Sequence, residues 1–391
     1  MRKECIYNMI DQMQKNCIGC KACKVICPVG AIIIKRDQEG FEYPHVLMDK
    51  CIKCGKCIQF CPVKEKADES VVTGKVFAAR CKNFDILMKS SSGGIFSVLA
   101  NDIINQNGVV YGVAFDEAFQ VVYIRGEKDA DIDRMRGSKY VDSFISEEIV
   151  GKFEKDVKDK RKVLFSGTSC QIAGMRAICK AKNLNDENVI FVDFYQCAGV
   201  VSSLLWKEEC KGYAQKGVIE EISFRSKKNG WQTYQVHQRI SGKSYDTDFL
   251  VHRWSKLLGN AACRRKTCID CKYSCGRSGS DISIGDFWER DKAPKKYKDN
   301  KGLSAVKINT DKGNILFMSI QKGIDCERVE LSNHFTQREM SAEDEMARNE
   351  FWKTYYEQGY EVICNKYARI TWKEKILFGV IRQALVKLGI L

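Results

Sequence analysis

Residues 17–28 read C-I-G-C-K-A-C-K-V-I-C-P and residues 51–62 read C-I-K-C-G-K-C-I-Q-F-C-P, two copies of C-x2-C-x2-C-x3-C-P. This internal repeat constrains the fold more than any other feature, because four thiols at fixed spacing in each copy need partners. Between the copies, apolar runs at 31–34 and 41–47 flank Asp37-Gln38-Glu39-Gly40, which predicts a β-hairpin. Only four prolines occur in the chain, and Pro28 and Pro62 directly follow the last cysteine of each copy. A proline there ends a turn and removes one competing donor.

The spacing is that of a two-cluster 4Fe-4S arrangement, in which the fourth cysteine of each run ligates the other cluster. One cluster then takes Cys17, Cys20, Cys23 and Cys61, and the other Cys51, Cys54, Cys57 and Cys27. Gly19, Ala22 and Gly55 leave room for backbone N–H groups near the inorganic sulfurs. A lone C-x2-C also suits zinc. Two matched copies, each with a fourth cysteine and a trailing proline, point to ferredoxin-type clusters and hence to electron transfer.

The chain has 20 cysteines in 391 residues, bunched rather than spread. The opening MRKECIYNMIDQMQKN has no apolar signal core and carries Asp11, so a cytoplasmic protein is expected. In that reducing setting, bunched cysteines bind metal more readily than they form disulfides. No stretch approaches the roughly 18 uncharged apolar residues that a spanning helix requires. The formal charge is +14, but the basic residues are dispersed and no nucleic-acid-binding motif is present, so nucleic acid is not an expected partner. Bound clusters, each carrying about −2, would cancel part of the excess. What remains suits an acidic redox partner, a ferredoxin-like carrier.

Beyond a Lys/Glu-rich stretch at 64–70 the pattern changes, which suggests domains at 1–70, 71–330 and 331–391. Strands are expected at 76–80, 109–115, 121–125, 162–166 and 189–195, and helices at about 94–106, 146–160 and 171–181. No G-x-G-x-x-G follows a strand, so no Rossmann unit is expected. Residues 222–250 alternate around turn residues and predict a strand meander. Residues beyond about 330 look helical, ending in a helix with Lys375, Arg382 and Lys387 on a basic face and Ile376, Val380, Ile381, Ala384 and Leu388 on an apolar one. Such a helix docks on its own domain, on a partner or on a membrane surface.

Three loops stand out. Ser90-Ser91-Ser92-Gly93-Gly94 precedes a helix and reads as a phosphate cradle or as a plain helix cap. Arg136-Gly137-Ser138-Lys139-Tyr140 is a cationic turn with an aromatic ring. Ser166-Gly167-Thr168-Ser169-Cys170-Gln171 runs from a strand into a helix, whose N-terminus would activate Cys170 as a nucleophile. Alternatively, Cys170 and Cys197 both lie just past strand ends and share one sheet edge if those strands are parallel neighbours. Cys268 and Cys271 form a C-x2-C pair flanked by Cys263 and Cys275, which suits zinc or a third 4Fe-4S cluster. Cys5, Cys81, Cys179, Cys210, Cys326 and Cys364 are isolated and read as ordinary thiols.

Taken together, the doubled cysteine motif, SSSGGIFSVLA, RGSKYV, FSGTSCQIAGM, Cys197 and CIDCKYSCGRSGSDISIGDFW resemble the family of coenzyme F-420 (deazaflavin) hydrogenase/dehydrogenase beta subunits, in the subgroup with an N-terminal two-cluster domain. The resemblance covers nearly all of residues 15–320. It implies an α+β chain: a ferredoxin-type 2x(4Fe-4S) domain, then a mixed α/β flavin-binding domain with the meander and a helical C-terminus. It further implies a third 4Fe-4S cluster on Cys170, Cys197, Cys268 and Cys271, and FAD near Ser91, Ser92, Gly93, Gly94, Gly137, Ser138, Lys139 and Tyr140. The implied activity is FAD-dependent iron–sulfur oxidoreduction of a small-molecule substrate. The alternative is an electron-transfer subunit without a substrate of its own. Many relatives carry Cys-His-Gly-Val-Pro where this chain has Cys197-Ala198-Gly199-Val200-Val201, and Thr-Pro-Cys where it has Thr168-Ser169-Cys170. The cysteines survive, and a histidine is lost.

Overall fold

The computed structural model describes residues 16–64, 75–195, 197, 199–273, 277–331 and 340–388. The two cysteine copies sit on either side of the expected hairpin. β1 (Ile32–Arg36) pairs antiparallel with β2 (Glu42–Val46), with Ile32 opposite Val46. Asp37 closes the turn, its Oδ1 accepting from the Glu39 and Phe41 amides at 3.0 and 2.8 Å. Each copy leads into a short helix, Ala22–Ile26 or Lys56–Gln59. The repeat extends to the backbone: Gly19 and Lys21 have φ of 70° and 60°, and their counterparts Lys53 and Gly55 have 56° and 74°. Holding a lysine in this left-handed region costs on the order of 1–2 kcal/mol, so both loops are over-determined by what surrounds them.

The second domain is built on a mixed eight-stranded sheet in the order β13-β3-β12-β11-β7-β6-β4-β5. Its members are β3 (Lys75–Cys81), β4 (Val109–Phe115), β5 (Val121–Gly126), β6 (Val163–Ser166), β7 (Val189–Phe194), β11 (Ile282–Asp286), β12 (Ser304–Ile308) and β13 (Ile324–Val329). The middle four, β4, β6, β7 and β11, are parallel, and the flanking pairs are antiparallel. Every residue of β6 is buried, as a parallel strand covered on both faces demands. Helices Glu147–Lys158 and Ser169–Ala181 bring Phe153, Ile172 and Met175 against Phe165 and Phe191. A second core joins helix Ile95–Asn105, through Leu99 and Ile103, with Phe317 of helix Asp311–Ser319 and with Leu164 and Val192.

The meander is present as an antiparallel sheet of β8 (Ile219–Ser226), β9 (Gln235–Ile240) and β10 (Lys243–Asp248). Its core joins Trp206, Phe224 and Trp254 to Phe351 and Trp352 of helix Ala342–Gln358. That helix also clasps the ferredoxin part. The buried Arg348 guanidinium bonds both carboxylate oxygens of Glu39, with Nε at 2.6 Å. Helix Ala22–Ile26 packs against helix Ser169–Ala181, Ala22 and Ile26 sharing the core of Ile172 and Met175.

Two local expectations change. None of the serines caps helix Ile95–Asn105; its cap is Gly94, with φ 79° and no side-chain hydrogen bond. Ser90 instead donates to the Ile86 carbonyl at 2.6 Å, and Ser92 to that of Leu303 at 2.7 Å. The terminal helix is interrupted by a π-turn at Leu377–Ile381, and Arg382 turns inward onto the Gln232 carbonyl instead of completing a basic outer face. Among the described residues, no helix is long and apolar enough to cross a membrane.

Candidate functional site

Cys17, Cys20, Cys23 and Cys61 line one cavity, and Cys27, Cys51, Cys54 and Cys57 line another, with Cys57 bordering both. The electrostatics follow the same grouping, with Cys57 felt on both sides. Burial, then Cys17, Cys61 and Cys57, push the Cys23 thiol up. Burial, then Cys54, Cys51 and Cys27, push up Cys57. Four thiols that repel each other in a desolvated pocket need a multivalent cation to become thiolates, which is what iron supplies. The left-handed loops turn backbone amides onto sulfur: Gly19 N–H lies 3.4 Å from Cys17 Sγ, and Ala31 N–H 3.2 Å from Cys27 Sγ. Donor set and cradle fit a 4Fe-4S cluster in each group.

A third group assembles in the second domain. β6 and β7 are parallel neighbours, with Ser166 opposite Val192, so the segments that follow them leave the same sheet edge. Cys170 lies in the first turn of helix Ser169–Ala181, whose N-cap Thr168 and Gln171 form a capping box. Burial, then Cys268 and Cys271, raise its pKa to about 12. Cys197 is raised by burial, then Cys268 and Cys170. Cys268 is raised to about 11 by burial and then Cys271. Cys170, Cys197, Cys268 and Cys271 are therefore brought together.

Burial, which raises the Cys170 pKa to about 12, outweighs the helix N-terminus and works against an activated thiol there. His237 is paired with Asp246 at 2.8 Å, and His252 lies near Tyr213 and Gln238. Cys263 sits elsewhere, buried near Cys364 and Arg348. Cys275, Cys5 and His334 lie outside the described residues. Among the described residues, no three His, Cys, Asp or Glu side chains are spaced for a single metal ion. Cys81, Cys179, Cys210 and Cys364 are buried free thiols, and Cys326 is half-buried.

The first and third groups meet. Ile18, Ala173 and Tyr273 form a small apolar core on which Cys20, Cys170 and Cys271 all pack. The Tyr273 hydroxyl is buried there and, among the described residues, has no hydrogen-bond partner.

The two polar loops also meet. Ser91 Oγ accepts from the Ser138 amide at 2.8 Å and lies 3.0 Å from Ser138 Oγ. Gly93 is compelled by space, since a Cβ would stand 2.3 Å from the Ala79 carbonyl oxygen, while Gly137, at φ 88°, borders open space. Lys139 Nζ reaches the carbonyls of Met135, Arg136 and Gly137 at 3.1–3.2 Å, and burial lowers its pKa to about 7. Tyr140 Oη accepts from Arg225 at 3.0 Å.

Arg225 escaped sequence reasoning. It is buried on β8, forms a two-pronged pair with Asp286 at 2.9 Å on each side, donates to the Ser91 carbonyl at 3.1 Å and stacks 3.8 Å over Tyr234. Its Nε is buried and, among the described residues, has no hydrogen-bond partner. Lys227, two residues on, donates to the carbonyls of Ser92, Leu87 and Lys301, the last two at 2.7 and 2.8 Å. A signal existed in the sequence, a strand ending Arg-Ser-Lys and the Asp286 of the quoted GDFW. Cationic groups around an aromatic, beside two serine- and glycine-containing loops, suit the phosphates of a dinucleotide, although the Gly93 amide is bonded to Ser304 Oγ at 2.9 Å and the Ser138 amide to Ser91. Residues 141, 201 and 264 are joined by β-bridges, so the chain leaving Tyr140 runs beside the segments carrying Cys197 and Cys268.

Residues 160–333 match the family described as the C terminus of the coenzyme F420 hydrogenase/dehydrogenase beta subunit, and residues 16–64 match the 4Fe-4S dicluster domain. The F(420)H(2) dehydrogenase F subunit of Methanosarcina mazei is 24% identical over 188 residues, 45% of this chain and 51% of that protein. The B subunit of the Na(+)-translocating ferredoxin:NAD(+) oxidoreductase complex of Acetobacterium woodii is 36% identical over 74 residues, 18% of this chain and 19% of that protein. The NADH-quinone oxidoreductase I 2 subunit of Geobacter metallireducens is 30% identical over 83 residues, 20% of this chain and 60% of that protein. The chain thus spans about half the length of the first of these curated relatives. A chain of the F420-reducing NiFe hydrogenase complex from Methanosarcina barkeri superposes with a TM-score of 0.47 at 16% identity, over 79% of this chain and 95% of that one. The protein therefore joins a 4Fe-4S dicluster domain, an electron-transfer module, to the C-terminal domain type of the F420 hydrogenase/dehydrogenase beta subunits.

Proposed function

We propose that the chain is an iron–sulfur flavoprotein oxidoreductase, passing electrons between its 4Fe-4S clusters and FAD and on to an organic hydride donor or acceptor, of the deazaflavin type or another. Cys17, Cys20, Cys23 and Cys61 hold one cluster, Cys51, Cys54, Cys57 and Cys27 the second, and Cys170, Cys197, Cys268 and Cys271 the third. The observation that carries this reading is the shared packing of Cys20, Cys170 and Cys271 on Ile18, Ala173 and Tyr273. It packs the ferredoxin part directly against the second domain. FAD, when bound, supplies the exchange between one- and two-electron chemistry that clusters lack. The chain's own part is to hold it: Ser91, Ser138 and the 92–94 backbone against the phosphates, Arg225 and Lys227 as counter-charges, and Tyr140 beside the ring system.

A second reading, an electron-transfer subunit with no substrate of its own, is favoured by the curated relatives, three of which are named as subunits of larger oxidoreductases. Acid release of flavin from anaerobically purified protein, with an iron count, decides between the two. About one FAD and about twelve iron atoms per chain are expected. Intact clusters without flavin would replace the first reading with the second.

A further inference from the structure

We propose that Arg265 sets the reduction potentials of the first and third cysteine groups together, raising both relative to the second group. This rests on the reading that each group holds a 4Fe-4S cluster. Arg265 is 5% exposed and wedged between the loops that carry the two groups. Its guanidinium fills the space a side chain at residue 19 would need, with Cζ 2.5 Å from where a Gly19 Cβ would stand, so it lies directly under the Cys17–Cys20 loop. Its carbonyl accepts from the Cys268 amide at 2.9 Å, making it the start of the turn that places Cys268. Thr267, in the same turn, donates to the Cys17 carbonyl at 3.3 Å. The guanidinium is held by the Glu42 carbonyl at 3.3 Å, Asp142 at 3.6 Å and the rings of Phe41 and Tyr43 at 4.9 and 4.8 Å. Other cations lie nearby: Lys21 is paired with Glu42, and Lys272, whose Nζ donates to the Val63 carbonyl, acts on Cys61 of the first group.

Reduction of such a cluster adds one electron and no proton, so the reduced form carries one more negative charge. A fixed cation stabilises that form, and burial keeps salt from screening it. The field of Arg265 acts on Cys17, Cys170 and Cys268, one group on each side. Arg265 does not figure among the influences on Cys57 of the second group, which responds to burial and then to Cys54, Cys51 and Cys27. One cation therefore lifts two neighbouring potentials in step, keeping them close to one another and drawing electrons inward from the second group.

The test is an EPR-monitored redox titration of the full chain at pH 8, with the second group's signal identified by its loss in Cys54→Ser. In Arg265→Gln the first and third potentials should fall by at least tenfold in the oxidised-to-reduced ratio, about 59 mV for one electron, with the second unmoved. Arg265→Lys should restore most of the shift, and Asp142→Asn should move the same two potentials upward. Unmoved potentials, or an equal shift in all three groups, would overturn the proposal. If Arg265→Gln fails to assemble, the sign of the Asp142→Asn shift decides. An iron count of about eight per chain in the parent protein would instead mark failure of the three-cluster reading.

Discussion

Gly174 lies against Cys20 so closely that a Cβ on it would stand 2.6 Å from Cys20 Cβ and 3.3 Å from its Sγ. The helix that presents Cys170 thus touches the loop that presents Cys20, and glycine is what permits the approach. In isolation, Gly174→Ala should stabilise the helix by about 1 kcal/mol. Overpacking a fixed neighbour costs about 1–3 kcal/mol, so the clash wins. The expected outcome is a lower melting temperature together with slower electron passage between the domains, measured by thermal unfolding and by rapid-mixing reduction.

The Arg348–Glu39 pair ties the C-terminal helix to the hairpin between the cysteine copies. Arg348 is fully buried and Glu39 is half-buried, its side chain 17% exposed, and removing one partner of such a pair leaves an uncompensated charge. Arg348→Ala should destabilise the protein by about 3 kcal/mol, the low end of the buried range, because Glu39 retains some water. Denaturant titration gives the value. A change below about 0.5 kcal/mol would place the pair among ordinary surface contacts.

Lys139 and Lys227 are both lowered to about 7, chiefly by burial. Their folded values lie below the unfolded value of 10.5, so between pH 7 and 10.5 the unfolded chain binds more protons. The stability of flavin-free protein should therefore rise with pH through that window and be lowest, on this account, below pH 7. A bound phosphate would favour the charged lysines and flatten the slope. Unfolding curves from pH 6.5 to 9, with and without ADP, check both statements, and a slope that ADP leaves unchanged would remove the lysines from the phosphate site.

The second group faces solvent at Cys54, beside Ile52, which is 61% exposed, with Lys50 and Lys56 exposed and Lys53 half-buried. An apolar centre with a basic rim suits electron exchange with an acidic carrier. Reduction by an acidic ferredoxin should slow as salt rises, and Lys50→Glu/Lys56→Glu should slow it at least tenfold at low salt while leaving reduction by dithionite unchanged. A salt-independent rate would remove electrostatic docking from the account.

Much of this was legible in the sequence because the signals are local. The doubled motif specified the first two groups, and the apolar runs at 31–34 and 41–47 specified the hairpin. The five expected strands β3 to β7 all formed. The antiparallel half of the sheet was hidden because its partners are far apart in the chain: β3 lies between β12 and β13, more than 200 residues away. Arg225 and Asp286 were missed for the same reason, since pairing two charges inside a protein leaves no periodic trace in either strand. The SSSGG serines misled because the rule for helix caps competes with tertiary bonds, which here took Ser91 to Ser138 and Ser92 to Leu303. Arg382 looked like part of a basic face until the π-turn at Leu377–Ile381 rotated it inward.

The central claim is that electrons cross from the ferredoxin part to the flavin through the Cys170 group. Its most direct test is stopped-flow reduction of anaerobic, FAD-loaded protein by a one-electron donor, followed at separate cluster and flavin wavelengths, in parent protein and in Cys170→Ser. The account predicts that in the variant the first two clusters still reduce at the parent rate, total iron falls by about a third, and flavin bleaching slows at least a hundredfold. Flavin reduction at the parent rate in a variant lacking that iron would contradict it.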